Sequence, residues 1–404
     1  MLTGQNGILN RAVEAKEKTE KSNGKEKIQL EIMSSYDNTG KVDWEKLKLN
    51  LKNQGITTSN SNSFPLEVEM NGENIYIIED GTIYNEIQAG KTVEGENKIY
   101  ANNNNFAIIP VGFTVSGLED EQSIENGLVI YDLEGNMVSN WNKDEDNDGL
   151  LDVQEQYNQF VWIPVKKGKY QRNYNYPIYV FNSEGIYRSD TTPVNSMHTD
   201  IGYLPNIIQP SVDSATSNEN SERENVERAG GFYISRYEAG DGDATSERTS
   251  ETANGKNVSK QKSYVYNYIT QEDAKKISKD MYNTGGARSA LCSGIQWDCA
   301  LNFVNGKTDA MNNVYLVRGY NENRHMNSVQ KTGINNYDKV SNIYDLEGNC
   351  AEFVAERNTL NNYTMICRGG YWAKSYNDWS SNRATKMQEE KSNLLTFRMA
   401  LYII

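Results

Sequence analysis

The chain has 404 residues and a formal charge of −14, with 55 aspartates and glutamates against 41 lysines and arginines. This acidity excludes nucleic acid and anionic membrane surfaces as its main partners, because both attract basic proteins. The length allows two or three domains, and 26 tyrosines with 6 tryptophans exclude a disordered chain, which would be poor in aromatic residues.

The first segment of the chain is rich in strong helix formers. Ala, Glu, Lys and Gln dominate residues 5–36, with apolar residues between them, which predicts one long helix. A second helix is predicted over residues 43–53, with Asp43 as its N-cap and Gly55 after its end. Together they predict a helical stalk, residues 1–56, as the first domain.

The start of this stalk, Leu2 to Ala12 followed by Glu17-Lys18-Thr19-Glu20, resembles the region just after the membrane helix of type IV pilin-like proteins from Gram-positive bacteria. In that family a cleaved leader and an apolar helix come first. The resemblance implies that Met1 is an internal methionine or an artificial boundary. Any membrane or pilin-like filament contact would then be made through residues upstream of Met1. The alternative is a free-standing helix.

Residues 57–100 are predicted to form a small β region and a linker. Two segments between residues 65 and 84 alternate apolar and polar side chains around Asn71-Gly72, which is a strong hairpin signal. The following stretch, residues 85–105, is rich in Gly, Asn and Glu and predicts a linker.

Residues 101–404 are predicted to form the largest domain, with long polar loops. Apolar, strand-like runs occur at 160–165 and 231–238, and helices are predicted at 270–282 and 294–304. The mixture of strand and helix patterns predicts an α+β fold class. One heptapeptide, Ile-Tyr-Asp-Leu-Glu-Gly-Asn, occurs twice in this domain and predicts a reused strand-to-turn element.

Residues 144–155 match the twelve-position EF-hand loop, with Gly149 at the sharp turn. Calcium takes six to eight oxygen ligands, which this spacing supplies. The predicted ligands are the side chains of Asp144, Asp146, Asp148, Asp152 and Glu155 and the carbonyl of Leu150. Because residues 136–141 do not predict an incoming helix, we expect a structural calcium ion that locks an insertion. The alternative is a solvated acidic loop.

The cysteines and histidines are few and scattered. They are Cys292, Cys299, Cys350 and Cys367, with His198 and His325. No CxxC pair occurs, so a Cys/His zinc site is excluded. Buried thiols are the favoured interpretation, and one or two disulfides are the alternative if the chain is exported.

Three motifs in the C-terminal part combine glycines, charges and aromatic residues. They are Gly348-Asn349-Cys350-Ala351-Glu352-Phe353, Cys367-Arg368-Gly369-Gly370-Tyr371-Trp372 and Phe397-Arg398-Met399-Ala400. We expect Glu352 to form a buried charge pair with either Arg368 or Arg398, because a charge is tolerated in a core only when it is paired and hydrogen-bonded.

These motifs resemble the formylglycine-generating-enzyme-like (sulfatase-modifying factor) branch of the C-type-lectin fold, whose pattern is G-N-x-x-E-W, then R-G-G-S-W, then G-F-R. Gly294 to Asp298 stands in the place of that family's helix motif, and Phe232 to Glu238 resembles its early strand. The resemblance covers roughly residues 105–404 and implies a C-type-lectin-like domain.

The chain departs from this family where catalysis would take place. The catalytic branch has two copper-holding cysteines shortly after the Arg-Gly-Gly motif, and residues 373–385 contain none. Non-haem iron relatives need several histidines, which this chain lacks. Thr396 also replaces the family's glycine. We therefore expect no catalytic residues and no copper, iron or zinc.

The segment 371–385, rich in Tyr, Trp, Ser and Asn, resembles the variable region of proteins diversified by retroelements, where the scaffold carries a binding face. The predicted ligand-binding residues are Tyr371, Trp372, Lys374, Ser375, Tyr376, Asn377, Asp378, Trp379, Ser381, Asn382 and Arg383. The alternative is an ordinary polar loop with its tryptophans buried.

The sequence thus favours an extracellular ligand-binding protein, an adhesin or receptor-binding protein at the cell surface or on a pilus. Its predicted partner is an extracellular protein or glycan. The alternatives are an oxidase-type enzyme of the formylglycine-generating or non-haem iron kind, and a structural minor pilin subunit.

Overall fold

The computed structural model divides the chain into two compact units, Met1–Ile87 and Gln88–Ile404, which are called the first and second unit below. It describes residues 15–16, 23–59, 64–70, 72–102, 105–171, 180–182, 185–187, 207–208, 219–249, 255–283, 285–309, 312–315, 317, 328–336, 339–358, 364–372, 380–381, 383–387 and 389–404.

Helices and strands are both abundant in the described residues, which confirms the predicted α+β class. The helices are α1 (23–34), α2 (Trp44–Asn53), α3 (Asp152–Gln156), α4 (Glu219–Ala229), α5 (Gln271–Met281) and α6 (Gly294–Val304). The strands are β1 (Thr57–Thr58), β2 (Leu66–Met70), β3 (Glu73–Ile77), β4 (Ile83–Asn85), β5 (Lys98–Asn102), β6 (Asn105–Ile109), β7 (Thr114–Val115), β8 (Val129–Asp132), β9 (Asn158–Pro164), β10 (Val180–Asn182), β11 (Gly185–Tyr187), β12 (Ile207–Ile208), β13 (Gly231–Ser235), β14 (Gly240–Asp241), β15 (Asn257–Val258), β16 (Tyr264–Val265), β17 (Ala287–Leu291), β18 (Ala351–Asn358), β19 (Thr364–Arg368), β20 (Arg383–Met387), β21 (Leu395–Phe397) and β22 (Met399–Ile403). In the described part of the chain, none of the helices is both long and apolar enough to span a membrane.

The first unit packs two helices on an antiparallel sheet of order β1-β2-β3-β4. Its single core contains Ile28, Ile32, Leu47, Leu51, Leu66, Val68, Ile75 and Ile77. Asp43 caps α2, as predicted, by accepting a hydrogen bond from the amide of Lys46. The helices and the sheet share this core because each has an apolar face that must be buried against another element. The unit boundary therefore falls at Ile87, and not at residues 56 and 100 as we predicted.

The predicted linker over residues 85–105 is partly wrong. It contains β5, which pairs antiparallel with β6 from Lys98 opposite Ile109 to Asn102 opposite Asn105. Ile99 is fully buried in this hairpin. This strand was not recognised in the sequence because polar residues flank it and because a strand with one buried face needs few apolar side chains.

The second unit is built on a six-stranded sheet of order β17-β22-β13-β9-β8-β7. The strand β22 lies between β17 and β13 and pairs antiparallel with both. The predicted helices at 270–282 and 294–304 are confirmed as α5 and α6. Ser293 and Gln296 form a capping box at the start of α6, which satisfies amides that the first turn leaves without helical partners.

A second sheet of this unit carries the C-terminal motifs. Its order is β12-β18-β19-β20, with β21 parallel to β18. In it β19 and β20 are antiparallel neighbours, and Arg368 lies opposite Arg383. Residues 369–382 are therefore the connection between two adjacent strands, and this connection contains most of the predicted binding face.

Candidate ligand-binding site

Glu352 on β18 and Arg398 after β21 form a forked ion pair in the core. The Arg398 guanidinium donates to the Glu352 carboxylate over 2.6 Å and 2.9 Å. It also donates to the carbonyls of Ser235 at 3.0 Å and Tyr344 at 2.8 Å. The geometry decides between the two partners that the sequence left open, and Arg398 is the partner of Glu352.

Arg368 makes a different buried pair, with Asp298 on α6. Its Nη2 lies 2.8 Å from Asp298 Oδ1 and also donates to the carbonyl of Ser381 over 3.3 Å. The neighbouring Trp297 donates its Nε1 proton to the carbonyl of Ser380 over 3.0 Å. The Trp297-Asp298 motif of α6 therefore holds both Arg368 at the end of β19 and the chain where it returns to β20.

The connection between β19 and β20 is fixed at both ends. After Gly369, whose φ of +75° suits glycine, the amide of Trp372 donates to the carbonyl of Asn349 over 2.8 Å. At the other end the amide of Ser381 donates to the carbonyl of Val317 over 3.2 Å. The stretch between these two anchors, residues 373–379, lies outside the described residues.

The predicted ligand-binding residues fall into three groups. Tyr371 and Trp372 are described and half-buried. Ser381 is fully buried, and its backbone anchors the connection, so it does not lie on an exposed face as we predicted. The remaining predicted positions lie outside the described residues, and they are Lys374, Ser375, Tyr376, Asn377, Asp378, Trp379, Asn382 and the side chain of Arg383.

A cavity of about 250 Å³ opens beside Trp372. Its lining includes three aromatic residues and three amides, which are Tyr264, Tyr268, Trp372, Asn267, Gln330 and Asn393. Sequence reasoning missed this cavity because its walls come from separate segments of the chain. The alternation of tyrosines over residues 264–268 is the one local signal that was available.

Arg248 also lines the cavity, but its positive charge is paired with a carboxylate of the protein itself. Its Nη1 lies 2.5 Å from the Asp241 carboxylate, and its Nε donates to the carbonyl of Asn267 over 3.0 Å. Its guanidinium lies 4.2 Å from the centre of the Tyr266 ring. A side chain held by three neighbours stiffens the wall of the cavity.

The predicted calcium loop has the compact shape that its spacing implies. Carboxylate oxygens of Asp144, Asp146 and Asp148 all lie within 4.8 Å of one another. Asp144 accepts hydrogen bonds from the amides of Asp148 at 3.3 Å and Gly149 at 3.1 Å. Gly149 has a φ of +88°, a left-handed conformation that glycine adopts without strain.

A lysine from elsewhere in the chain lies against this loop. The Lys262 ammonium contacts Asp148, Asp146 at 3.3 Å and Glu155 at 2.8 Å. The hydrogen bond that Lys262 donates to Asp148 is the first reason why the pKa of Lys262 is raised above its usual value, and the same contact lowers the pKa of Asp148. Three predicted calcium ligands thus converge on one cation position.

Asp152 and the backbone amide of Leu150 form hydrogen bonds within the loop. Asp152 accepts from the amide of Glu145 over 3.0 Å and lies 3.3 Å from the Lys143 ammonium. The amide of Leu150 donates to Asp148 over 2.9 Å. Asp152 and Glu155 belong to α3, so the loop runs directly into a short helix. The donor set suits a hard cation, because it consists of carboxylate and carbonyl oxygens.

The four cysteines are free and buried, which confirms the prediction of buried thiols. Burial raises the pKa of Cys299 to about 12 and that of Cys292 and Cys350 well above the usual thiol value. The thiolate is the nucleophile and metal ligand, so these thiols are held in an unreactive form at neutral pH.

No family model matches the chain, and no curated protein matches it. Solved structures with a likeness to it include PvdO from Pseudomonas aeruginosa, which is 16% identical with a TM-score of 0.32 over 44% of this chain and 82% of that one. Treponema denticola variable protein 1 is 15% identical, with a TM-score of 0.22 over 75% and 98%. The Major Tropism Determinant U1 variant is 10% identical, with a TM-score of 0.29 over 86% and 84%. With TM-scores this low, these likenesses assign neither a fold family nor a function.

Proposed function

We propose that this chain is a non-catalytic ligand-binding protein whose contact face is the 371–385 segment, displayed on a C-type-lectin-like scaffold. The observation that carries the proposal is the anchoring of this connection at both ends. Trp372 is bonded to Asn349, and Ser380 and Ser381 are bonded to Trp297 and Arg368. Apart from the half-buried Trp372, the residues of these contacts are at most 3% exposed.

Such an arrangement separates stability from recognition. The paired charges Arg368–Asp298 and Arg398–Glu352 are fully buried, so the scaffold does not depend on the residues between the anchors. Those residues can then change in sequence at little cost to the core. Their composition of Tyr, Trp, Ser and Asn is typical of binding loops, which combine rigid aromatic contact area with adaptable hydrogen bonds.

The three C-terminal motifs support the lectin-like assignment of the scaffold. Each motif supplies one part of the buried skeleton, with Glu352 from the first, Arg368 from the second and Arg398 from the third. The unreactive state of the buried thiols favours binding over oxidase chemistry. On this proposal the protein acts outside the cell, at the cell surface or on a pilus, and its ligand is an extracellular protein or glycan.

We also propose that residues 144–155 hold a structural calcium ion. Asp144, Asp146, Asp148 and Glu155, with Asp152 and the Leu150 carbonyl, would supply the ligands. The convergence of three carboxylates on the Lys262 ammonium supports this, since it marks the position where a cation is stabilised. Calcium carries two positive charges where the lysine ammonium carries one, so it would attract these carboxylates more strongly and hold the loop in one conformation.

Binding is tested with the full chain on arrays of immobilised extracellular proteins and glycans. We expect the wild type to retain a ligand that is lost when residues 373–379 are replaced by Gly and Ser at equal length. The matched control replaces the exposed turn at residues 134–137 in the same way and keeps the ligand. Retention of every ligand by the 373–379 replacement would contradict the proposal, provided that its melting temperature equals that of the wild type.

A further inference from the structure

Three carboxyl groups and one guanidinium lie together in the core of the second unit. Glu238 and Glu352 are fully buried, and Asp345 is only 4% exposed. The guanidinium of Arg398 is bonded to the Glu352 carboxylate. If all three carboxyl groups were ionised, two negative charges would remain without a cation, and a buried charge that is neither paired nor hydrated is strongly destabilising. The cluster is therefore most stable when it holds at least one proton.

Glu238 and Asp345 share this proton, because their hydrogen bonds come from neutral donors. Glu238 accepts from the side-chain amide of Asn349 over 2.7 Å and from the backbone amide of Cys350 over 2.9 Å. Asp345 accepts from the backbone amide of Gly333 over 3.1 Å. Such bonds orient a carboxylate without cancelling its charge, so the two groups repel each other when both are ionised.

The pKa values of the cluster agree with this geometry. Burial, followed by the charges of Asp345 and Glu352, raises the pKa of Glu238 well above its usual value. Burial raises the pKa of Asp345 to about 6 and that of Glu352 to about 7. The thiols and phenols that act on the cluster are kept neutral by burial, which raises their pKa, and they are Cys292, Cys350, Tyr237 and Tyr344. Arg236, whose guanidinium lies 5.6 Å from both tyrosine rings, is paired with Glu121, so its charge is already compensated.

Asn349 connects this cluster to the 371–385 segment. Its side-chain amide donates to Glu238, and its side-chain oxygen accepts from the amide of Gln330 over 2.8 Å. Its backbone carbonyl accepts from the amide of Trp372 over 2.8 Å, which is the first anchor of the segment. With a φ of 45°, Asn349 has a left-handed backbone, which asparagine adopts more readily than most residues and which these bonds hold in place. Movement of Asn349 away from Glu238 therefore releases Trp372.

Raising the pH favours that movement. When Asn349 moves away, water reaches Glu238 and Asp345, and their carboxyl groups return toward the usual pKa values of 4.5 and 3.8. Because both pKa values are higher in the closed form, opening releases a proton at a pH between the closed and the open values. The closed form is thus most favoured below pH 3.8, and this advantage is lost as the pH rises through 6.

We propose that proton loss from Glu238 and Asp345 releases the Trp372 end of the 371–385 segment, so that the protein has a fixed contact face in mild acid and a loosened one at neutral pH. The proposal rests on the proposed function, because it describes regulation of the same face. A ligand is then held more firmly in acidic surroundings, since a preorganised face loses less conformational entropy on binding.

Hydrogen-exchange mass spectrometry on the full chain tests this proposal without any ligand. Fragmentation that resolves single amides follows Trp372 and Ser381, the two anchored amides of the connection, and each rate is compared with the intrinsic rate at the same pH. We expect the protection of Trp372 to fall about tenfold per pH unit between pH 4.5 and 6, because opening releases one proton. The fall should level off above pH 7.

Ser381 is the internal control at the other end of the connection. Its amide is bonded to the carbonyl of Val317, and its own carbonyl accepts from Arg368, which is paired one to one with Asp298. Opening at this end exposes no surplus carboxyl group, so the protection of Ser381 should stay within about twofold over the same pH range.

Asp345→Asn should flatten the profile of Trp372 to within about twofold, because one of the two repelling charges is removed. Asp37→Asn, in the first unit, is the control variant and should keep the wild-type profile. The proposal is overturned if the protection of Trp372 is constant or rises with pH, if Ser381 shows the same fall, or if Asp345→Asn keeps the wild-type profile. If Asp345→Asn does not fold, the comparison of Trp372 with Ser381 in the wild type still decides.

Failure of this proposal is distinct from failure of the proposed function, because no ligand takes part in the exchange measurement. Constant protection of Trp372, together with loss of array binding on replacement of residues 373–379, would indicate a contact face that does not respond to pH.

Discussion

The second unit holds cations against carboxylates in two opposite ways. In the core, Arg398 is fully buried and the Glu352 side chain is only 1% exposed. At the loop of residues 144–155, Lys262 is 33% exposed and Asp146 58% exposed. The chemistry of the two pairs is similar, and the difference lies in access to water.

The comparison indicates which of these cations can be replaced without loss of the fold. A buried ion whose partner is removed cannot recover its hydration, so the core pairs fix the scaffold. An exposed pair contributes little, because water and salt screen it. In the proposed calcium-bound state the loop would exchange a lysine for a metal ion, whereas the core cannot lose an arginine. Four experiments test this contrast, in order of decreasing expected effect.

Arg398→Met should lower the free energy of unfolding by about 3–5 kcal/mol, because it leaves the Glu352 carboxylate buried without its cation. Urea denaturation followed by circular dichroism measures this change. The double variant with Glu352→Met should recover part of the loss, since no charge is then left unpaired. A loss in the single variant no larger than that of Lys262→Met would contradict the contrast between core and surface.

Asp345 should make the second unit more stable in mild acid than at neutral pH. Burial raises the pKa of its carboxyl to about 6 from 3.8, and the Glu238 carboxyl, buried beside it, is also raised. The stability from a raised pKa is fully present below pH 3.8 and is lost as the pH rises through 6. From well below pH 3.8 to well above pH 6, the wild type should therefore lose about 3 kcal/mol relative to Asp345→Asn.

Urea denaturation at several pH values measures this dependence. In the Asp345→Asn variant the side-chain amide oxygen can still accept the hydrogen bond that the amide of Gly333 donates at 3.1 Å in the wild type. Asp37→Asn is the control of opposite sign, because hydrogen bonds from Thr39 and Lys41 lower the pKa of that exposed carboxyl. Equal pH profiles for the wild type and Asp345→Asn would exclude the buried carboxyl as the cause.

Calcium should stabilise the second unit, by about 2.7 kcal/mol at a free concentration one hundred times its Kd. Thermal melting with added calcium and with EDTA measures the shift. Glu155→Gln should abolish it, because the twelfth position supplies two oxygens. Glu145→Gln is the control, since position two is not a ligand and its side chain is 75% exposed. An unchanged melting temperature in EDTA would exclude a structural metal.

Lys262→Met should cost at most about 1 kcal/mol in EDTA, because its contacts are exposed. The same change should raise calcium affinity, since the ion no longer competes with an ammonium for Asp146, Asp148 and Glu155. Calorimetric titration measures the Kd. A lower affinity in this variant would mean that Lys262 supports the site instead of occupying it.

Local patterns in the sequence predicted the local structure. The turn at Gly149, the cap at Asp43 and the helix α6 all depend on residues that lie within one or two turns of one another, and the structure contains each of them. Calcium binding by residues 144–155 stays a prediction. The partner of Glu352 stayed open, because both arginines lie in motifs of the same kind and the choice depends on the tertiary fold. Lys262 was missed for the same reason, since 116 residues separate it from Asp146.

The repeated heptapeptide illustrates the limit of such patterns. In the first copy Glu134 is exposed at a turn, with a φ of 51°. In the second copy the corresponding residue, Glu347, is 1% exposed, and Asp345 is 4% exposed. Identical residues thus lie in water in one place and in the core in the other, because the surrounding packing determines burial. The backbone differs as well, since positive φ occurs at Glu134 and Gly135 in the first copy and at Asp345, Gly348 and Asn349 in the second. The prediction of one reused strand-to-turn element is therefore wrong.

The position of β22 has a consequence for synthesis of the protein. This strand follows all the others of its sheet along the chain, yet it lies between β17 and β13. Until the ribosome has released residues 399–403, the edges of β13 and β17 have no neighbour, and exposed strand edges are prone to pair with other chains. The nascent second unit is therefore most prone to aggregate before β22 has joined its sheet.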